Sequence, residues 1–249
     1  MIVFDKFCQE SDPCSYLPDR KSIIEYELAG KISSREYESR MNRGWRKFGY
    51  TLFHPVCLNC LECIPIRVPV GNFTPSRSQI RSARKNNDLV MKIGRPIVDS
   101  ERLALFDAYH VAQAKRKGWP EHYSDEKSYF CSFIGNPIQA AELSIWEGEV
   151  LRGVILLDVT PKTISAVYHY YDLSISRSGL GTLLILLAIE YARSREKPWV
   201  YLGYFVNKCR SMEYKTRFRP FELLGSDGLW GGSAEKSSLN FPGAISEKD

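Results

Sequence analysis

From residue 140 onward, apolar positions recur at every second residue. Residues 140–146 and 150–159 flank Glu147-Gly148-Glu149, and residues 165–171 follow a turn at Pro161. Period two around a short polar turn predicts a hairpin that continues as a three-stranded meander. Ahead of it, residues 101–117 carry a helical period stopped by Gly118, and a shorter helix follows Ser124. Behind it, Ser178-Gly179-Leu180-Gly181-Thr182 opens the strongest helical pattern in the chain, residues 183–194. Residues 199–206 and 218–224 then predict two further strands.

The first hundred residues are less regular. Ser33-x-x-Glu36 and Ser76-x-x-Gln79 are capping boxes, each opening a helix. In the first helix Tyr37, Met41, Trp45 and Phe48 share one face, with Gly44 inside that stripe where the regular part can end. Arg43, Arg46 and Lys47 add charge on its flank. Short strands are predicted at 50–53 and 89–93. Residues 64–70 alternate, with Arg67 turned away from the apolar side, and Pro65 and Pro69 place that strand at an edge. Residues 1–30 read as irregular, broken by Pro13, Pro18 and Gly30.

Composition narrows the class. At 249 residues the chain can bury a large core in one or two domains, and 44% hydrophobic with 25% charged residues is ordinary for a globular protein. The longest apolar run, near 183–189, is too short to span a bilayer, and the first residues lack the basic and apolar regions of a signal peptide. Seven clustered cysteines favour metal chemistry in a reducing cytoplasm over disulfides. Residues 94–100 read as a joint. The expected division is a small cysteine-bearing domain at 1–95, a second domain at 96–232 and a flexible tail at 233–249.

Two segments carry candidate chemistry. Cys57, Cys60 and Cys63 repeat every third residue, a spacing that suits a structural zinc or an iron–sulfur cluster, with Cys14 as fourth ligand and Cys8 in reserve. The alternative is three reduced cysteines packed as small apolar residues. In the helix after Ser76, Arg77, Arg81, Arg84 and Lys85 fall on one face. Residues 67–95 hold seven Lys or Arg against one acid, Asp88, so phosphate is the natural partner, against the plainer reading of a solvated helix face. A net charge of +5 permits an RNA partner without requiring one.

A meander, a Gly-x-Gly turn into a helix and a further strand resemble the core of GNAT-type acyltransferases, in which turn amides and the helix N-terminus hold phosphates. Ser176-x-x-Gly179-x-Gly181 is similar to that loop, with serine where such enzymes carry Gln or Arg. The whole chain resembles the aminoacyl-tRNA–protein transferases of the N-degron pathway, the arginyl/leucyl transferase family. The resemblance rests on Cys14-Ser15-Tyr16-Leu17-Pro18, on residues 43–49 (Arg-Gly-Trp-Arg-Lys-Phe-Gly) and on the cysteine and Pro75-Ser76-Arg77-Ser78-Gln79 stretch. It continues in residues 167–172, Gly179-Leu180-Gly181-Thr182, Tyr201-Leu202-Gly203-Tyr204 and residues 212–220. It covers roughly residues 12–225. Leu17 stands where eukaryotic relatives have a second cysteine, so identical cluster ligation is not implied.

That family implies an α+β fold, with the cysteine domain followed by a GNAT-like domain on a mixed, mostly antiparallel sheet. It implies transfer of Leu, or alternatively Arg, from aminoacyl-tRNA to proteins beginning with Asp or Glu, with no cofactor in the transfer itself. The α-amine must attack an ester, so the site needs a proton relay, an oxyanion partner and positioned reactants. Candidates are Tyr168, Tyr170 and Asp172 at alternating positions of one strand, and Tyr204 and Lys215 near the strand that follows the helix. His169 points the other way, as a structural residue. For the tRNA the candidates are Arg67, Arg77, Arg81, Arg84, Gly179, Gly181, Thr182 and Arg217; Arg67, Arg77 or Arg217 would also read an acidic acceptor. Two rival readings are an acetyl-CoA-dependent GNAT acetyltransferase and a zinc-knuckle RNA-binding protein without activity.

Overall fold

A computed structural model describes residues 1–117, 123–175 and 179–232. The expected helix stop at Gly118, the loop residues Ser176 and Ser178 and the tail at 233–249 lie outside the described residues.

The chain opens with two long antiparallel strands, β1 (Ile2–Ser11) and β2 (Ser22–Lys31), where the sequence reads as irregular. β1 is exposed along its whole length, so it carries no inside–outside alternation to signal a strand. Helix α1 (Ser34–Asn42) follows, with both hydrogen bonds of the Ser33–Glu36 capping box formed. It stops before Gly44, whose φ of +91° ends it. Trp45 and Phe48 are therefore not part of the helix. Trp45 precedes and Phe48 ends β3 (Arg46–Phe48), which pairs with β4 (Thr51–Pro55) in a four-stranded sheet ordered β1-β2-β4-β3.

The second sheet has eight strands. β5 (Ile64–Pro69) is followed by α2 (Arg77–Arg84), again with its capping box complete, and β6 (Val90–Gly94). Next come α3 (Ser100–Lys117), α4 (Glu126–Tyr129) and the meander β7 (Ala140–Glu147), β8 (Val150–Val159) and β9 (Thr163–Tyr171). α5 (Leu180–Ser194), β10 (Trp199–Phe205), α6 (Arg210–Glu213), β11 (Glu222–Leu224) and β12 (Trp230–Gly232) complete the order. The sheet runs β12-β11-β5-β10-β9-β8-β7-β6, antiparallel except where β9 meets β10. This is the expected mixed, mostly antiparallel α+β arrangement. The division at residue 95 does not coincide with a sheet boundary, because β5 and β6 both belong to the larger sheet.

The edge placement of β5 is corrected. β5 lies inside the sheet, paired with β10 on one side and β11 on the other. The β11 ladder touches only Ile66 and Arg67, between the prolines, while Pro65 and Pro69 lie toward the two ends of the β10 ladder, opposite Tyr204 and Trp199.

α5 packs its apolar side on one face of the large sheet, where Leu184, Ala188, Ile66, Val68, Leu143 and Ile155 form the main core. α3 covers the other face through Phe106, against Tyr129, Phe133, Val154 and Tyr170. A third core joins the two sheets: Tyr37, Met41 and Leu52 pack with Ile138 and Tyr201. Arg46 and Lys47, expected to add charge on the flank of the first helix, are buried at this junction. Arg46 donates to the Gly203 carbonyl at 3.1 Å, and Lys47 pairs with Asp158 at 3.1 Å. Among the described residues no helix is long and apolar enough to cross a membrane.

Candidate functional site

β9 and β10 run parallel only from Thr163–Ser165 against Trp199–Tyr201; beyond that point no pairing joins them. The carboxyl end of β9 leads toward Gly179 and α5, and the carboxyl end of β10 leads to Val206. In open sheets, ligands bind beyond the carboxyl ends of such strands. Lys215 is buried beside β10. Its ammonium donates to the Tyr204 carbonyl at 2.6 Å and contacts the Met212 sulfur at 3.1 Å. Burial, then the Arg46 charge, lowers its pKa to about 7, against the raising effect of the Cys209 and Cys63 thiols. Burial and the nearby Lys215 lower His169 to about 4, so His169 is a neutral structural ring, with Tyr171 and Tyr214 beside it.

The Gly179 turn and the basic helix meet. Gly179, at φ +90°, caps α5 without a side chain, and the Ser82 hydroxyl of α2 donates to its carbonyl at 3.1 Å. A Cβ on Gly181 would come within 2.8 Å of the Tyr171 ring. Gln79 of α2 donates to the Arg217 carbonyl at 3.2 Å. Arg77, Arg81, Arg84 and Arg217 are all exposed, and none forms an ion pair with a described carboxylate. Helix α2, which carries Arg77, Arg81 and Arg84, is thus held against the Gly179 cap of α5, whose first turn includes Gly181 and Thr182; arginines and a helix N-terminus are both groups suited to phosphates. Arg67 is placed differently. Its guanidinium is sandwiched between Trp199 and Trp230, 3.8 and 4.2 Å from their centroids, and pairs with Glu222 at 2.7 Å.

The remaining candidates are separated. Tyr168 and Tyr170 share the α3 face of β9, as alternation predicts. The Tyr168 hydroxyl meets His110 Nε2 at 3.0 Å, whereas Tyr170 is wholly buried with its hydroxyl 2.7 Å from that of Tyr129. Burial raises both phenols. Burial works to raise the Asp172 carboxyl, but the Ser174 hydroxyl and amide and the Arg152 guanidinium outweigh it and hold it low. Arg152 pairs with Asp172 at 2.7 Å. The Tyr204 hydroxyl donates to the Gly44 carbonyl at 2.7 Å, tying the two sheets together.

Cys14, Cys57, Cys60 and Cys63 line a common cleft of about 1090 Å³ between the four-stranded sheet and the segment 223–232. Cys57 accepts from the Ile23 amide at 3.3 Å and Cys60 from Arg20 at 3.3 Å. Burial, and then the thiols of Cys57, Cys14 and Cys60, push Cys63 up to about 12. Among the described residues no three Cys, His, Asp or Glu side chains converge closely enough to hold a metal ion. The donor types suit zinc or a cluster, and the four cysteines sought as ligands do share one cleft. Cys8 is exposed on β1 and does not line the cleft. Arg43 and Tyr16, also in the cleft wall, are not among the candidate site residues that the sequence offers; as an exposed arginine and a loop tyrosine, they have no periodicity that marks them.

Residues 12–81 match the family described as arginine-tRNA-protein transferase, N terminus, and residues 101–225 match its C terminus. The chain belongs to the arginine-tRNA-protein transferase family. The transferase is 33% identical over 219 residues to the aspartate/glutamate leucyltransferase of Campylobacter jejuni, covering 88% of this chain and 92% of that one. It is 35% identical over 228 residues to that of Marinobacter nauticus, covering 90% and 94%. In structure it resembles the C-terminal domain of a protein described as a lysylphosphatidylglycerol synthetase of Agrobacterium fabrum, with TM-score 0.50 and 13% identity, covering 83% and 82% of the two chains. That likeness is one of fold alone. The transferase is thus an enzyme that moves an aminoacyl group from tRNA to protein, which sets aside the acetyltransferase and purely RNA-binding readings.

Proposed function

We propose that this transferase moves leucine, with arginine as the alternative donor, from charged tRNA to the α-amine of proteins beginning with Asp or Glu, marking them for N-degron degradation in the cytoplasm. The observation that carries the reading is near full-length similarity to enzymes named aspartate/glutamate leucyltransferases.

In this reading the amine nitrogen bonds to the ester carbonyl carbon, and the bond from that carbon to the ribose oxygen breaks. The amine gives up one proton and the ribose hydroxyl gains one, so the transfer needs no redox partner. The α-amine has a reference pKa of roughly 7.7–8.0, so a weak acceptor suffices. Arg77, Arg81, Arg84 and Arg217 neutralise phosphates near the acceptor end of the tRNA, and the first amides of α5 receive another. Tyr168, with His110 behind it, relays the proton. Lys215, with a pKa lowered to about 7, stabilises charge at the wall that Tyr204 provides. Asp172, held ionised by Arg152, orients the ammonium, and Tyr170 fixes the strand from behind.

A transfer assay tests the proposal. Purified protein is given labelled Leu-tRNA or Arg-tRNA and peptides beginning with Asp, Glu, Arg or Lys. Label from Leu-tRNA is expected on the Asp and Glu peptides. Label that stays on the tRNA with every peptide overturns the reading, and transfer from Arg-tRNA alone overturns the choice of donor.

A further inference from the structure

The cleft of about 1090 Å³ has room for several peptide residues and walls rich in Tyr16, Tyr26, Phe53, Leu223 and Trp230. It holds two cations, Lys21 and Arg43. Lys21 is paired with Asp12 at 3.0 Å. Arg43 has no ion pair with a described carboxylate; its Nε donates to its own helix at the Ser39 carbonyl, 3.4 Å away, and the terminal nitrogens are left for a ligand. Two acids also line the cleft. Asp227 accepts from the Leu229 amide at 3.0 Å, and Glu62 lies in the field of Arg20.

The backbone that carries Arg43 is fixed. Arg43 caps α1, and the next residue, Gly44, takes a left-handed conformation with its carbonyl held by Tyr204. A Cβ on Gly44 would stand 3.2 Å from both His54 and Pro65, which line the same cleft. A guanidinium on a rigid turn is a suitable fork for a carboxylate. The cleft also reaches the transfer region: Val206, at the carboxyl end of β10, lines it.

We infer that this cleft receives the N-terminal residues of the acceptor protein and that Arg43 reads the carboxylate of its first side chain. The inference rests on the acceptor class proposed above and assigns the residue that selects it. Of the arginines that the sequence offered for this task, Arg67 is enclosed by two tryptophans and Glu222, and Arg77 and Arg217 lie outside the cleft. The apolar walls take the following residues of the acceptor.

The test compares kcat/KM for peptides beginning with Asp and with its neutral isostere Asn, in the wild type and in the Arg43→Gln, Arg43→Lys and Arg43→Glu variants. Arg43 is exposed, so the variants should fold; thermal unfolding checks this. Removing a charge-assisted fork should lower transfer to the Asp peptide at least roughly tenfold and leave the Asn peptide nearly unchanged. Arg43→Lys should recover part of the discrimination, Arg43→Glu should favour peptides beginning with Lys or Arg, and binding of charged tRNA should not change. An unchanged Asp-to-Asn ratio in Arg43→Gln overturns the inference, as does a parallel fall in charged-tRNA binding. A wild type that labels neither peptide overturns the acceptor reading itself, a result distinct from either of those.

Discussion

Ser82 of α2 donates its hydroxyl to the carbonyl of Gly179 at 3.1 Å, joining the basic helix to the turn that starts α5. A Cβ on Gly179 would lie 1.8 Å from that hydroxyl oxygen. Helix α2 therefore packs against the start of α5 because a glycine and a small serine permit it.

Gly179→Ala should destabilise the protein by roughly 1–2 kcal/mol from the left-handed backbone alone, with the clash against Ser82 adding to it. It should also weaken tRNA binding by displacing α2. Adding Ser82→Gly should recover the clash component and leave the backbone component. Denaturant titration of the wild type and the two variants separates the components; equal stability of Gly179→Ala and the wild type would contradict the packing.

Arg81→Ala with Arg84→Ala should leave stability unchanged, since both side chains are exposed without described ion pairs. Binding of charged tRNA should weaken, and the slope of log affinity against log salt should become shallower by roughly 0.7–0.9 for each phosphate no longer neutralised. A salt titration of binding checks this, and an unaltered slope would place the tRNA elsewhere.

Lys215 gives a pH signature. Its folded pKa of about 7 lies below the ordinary value of 10.5. Between those values the unfolded chain holds more protons, so this group makes stability rise with pH, by up to about 1.4 kcal/mol per unit. The gain is lost as pH falls back toward 7, and below 7 the group adds no further pH dependence. Lys215→Met should flatten the stability curve between pH 7 and 10, read from denaturant midpoints across that range.

Lys47 and Asp158 form an ion pair in which each side chain is only 1% exposed. Asn136 reaches both, accepting from Lys47 at 3.0 Å and donating to Asp158 at 2.7 Å. Asp158→Asn or Lys47→Met alone should cost about 3–5 kcal/mol, because each leaves an uncompensated buried group. The double variant Lys47→Met with Asp158→Leu should recover much of that loss. A double-mutant cycle by chemical denaturation measures the coupling, and additive single effects would refute it.

Local patterns carried much of this protein. Both capping boxes form as their Ser-x-x-Glu and Ser-x-x-Gln spacings require, and the meander at 140–171 follows from period two. The helix over Leu180–Ser194 and the charge clustered in α2 are equally local properties. β1 was not legible because a strand exposed along its length has no buried face to imprint a period. β5 was misplaced because the two prolines argue for an edge until one knows how short its partner strand is.

What the sequence determined by itself was the order of elements from β5 to β10, their caps, the basic face of α2 and the motifs that mark the family, because each depends on residues within a few positions of one another. Only the tertiary structure decided that Arg46 and Lys47 are buried between two sheets, that Arg67 is enclosed by Trp199 and Trp230, that Tyr170 faces Tyr129 in the core, and that Arg43 is left facing the cysteine-lined cleft. Burial and ion pairing depend on partners far away along the chain, so a residue's charge is written in its own position while its availability is set by what the fold brings against it.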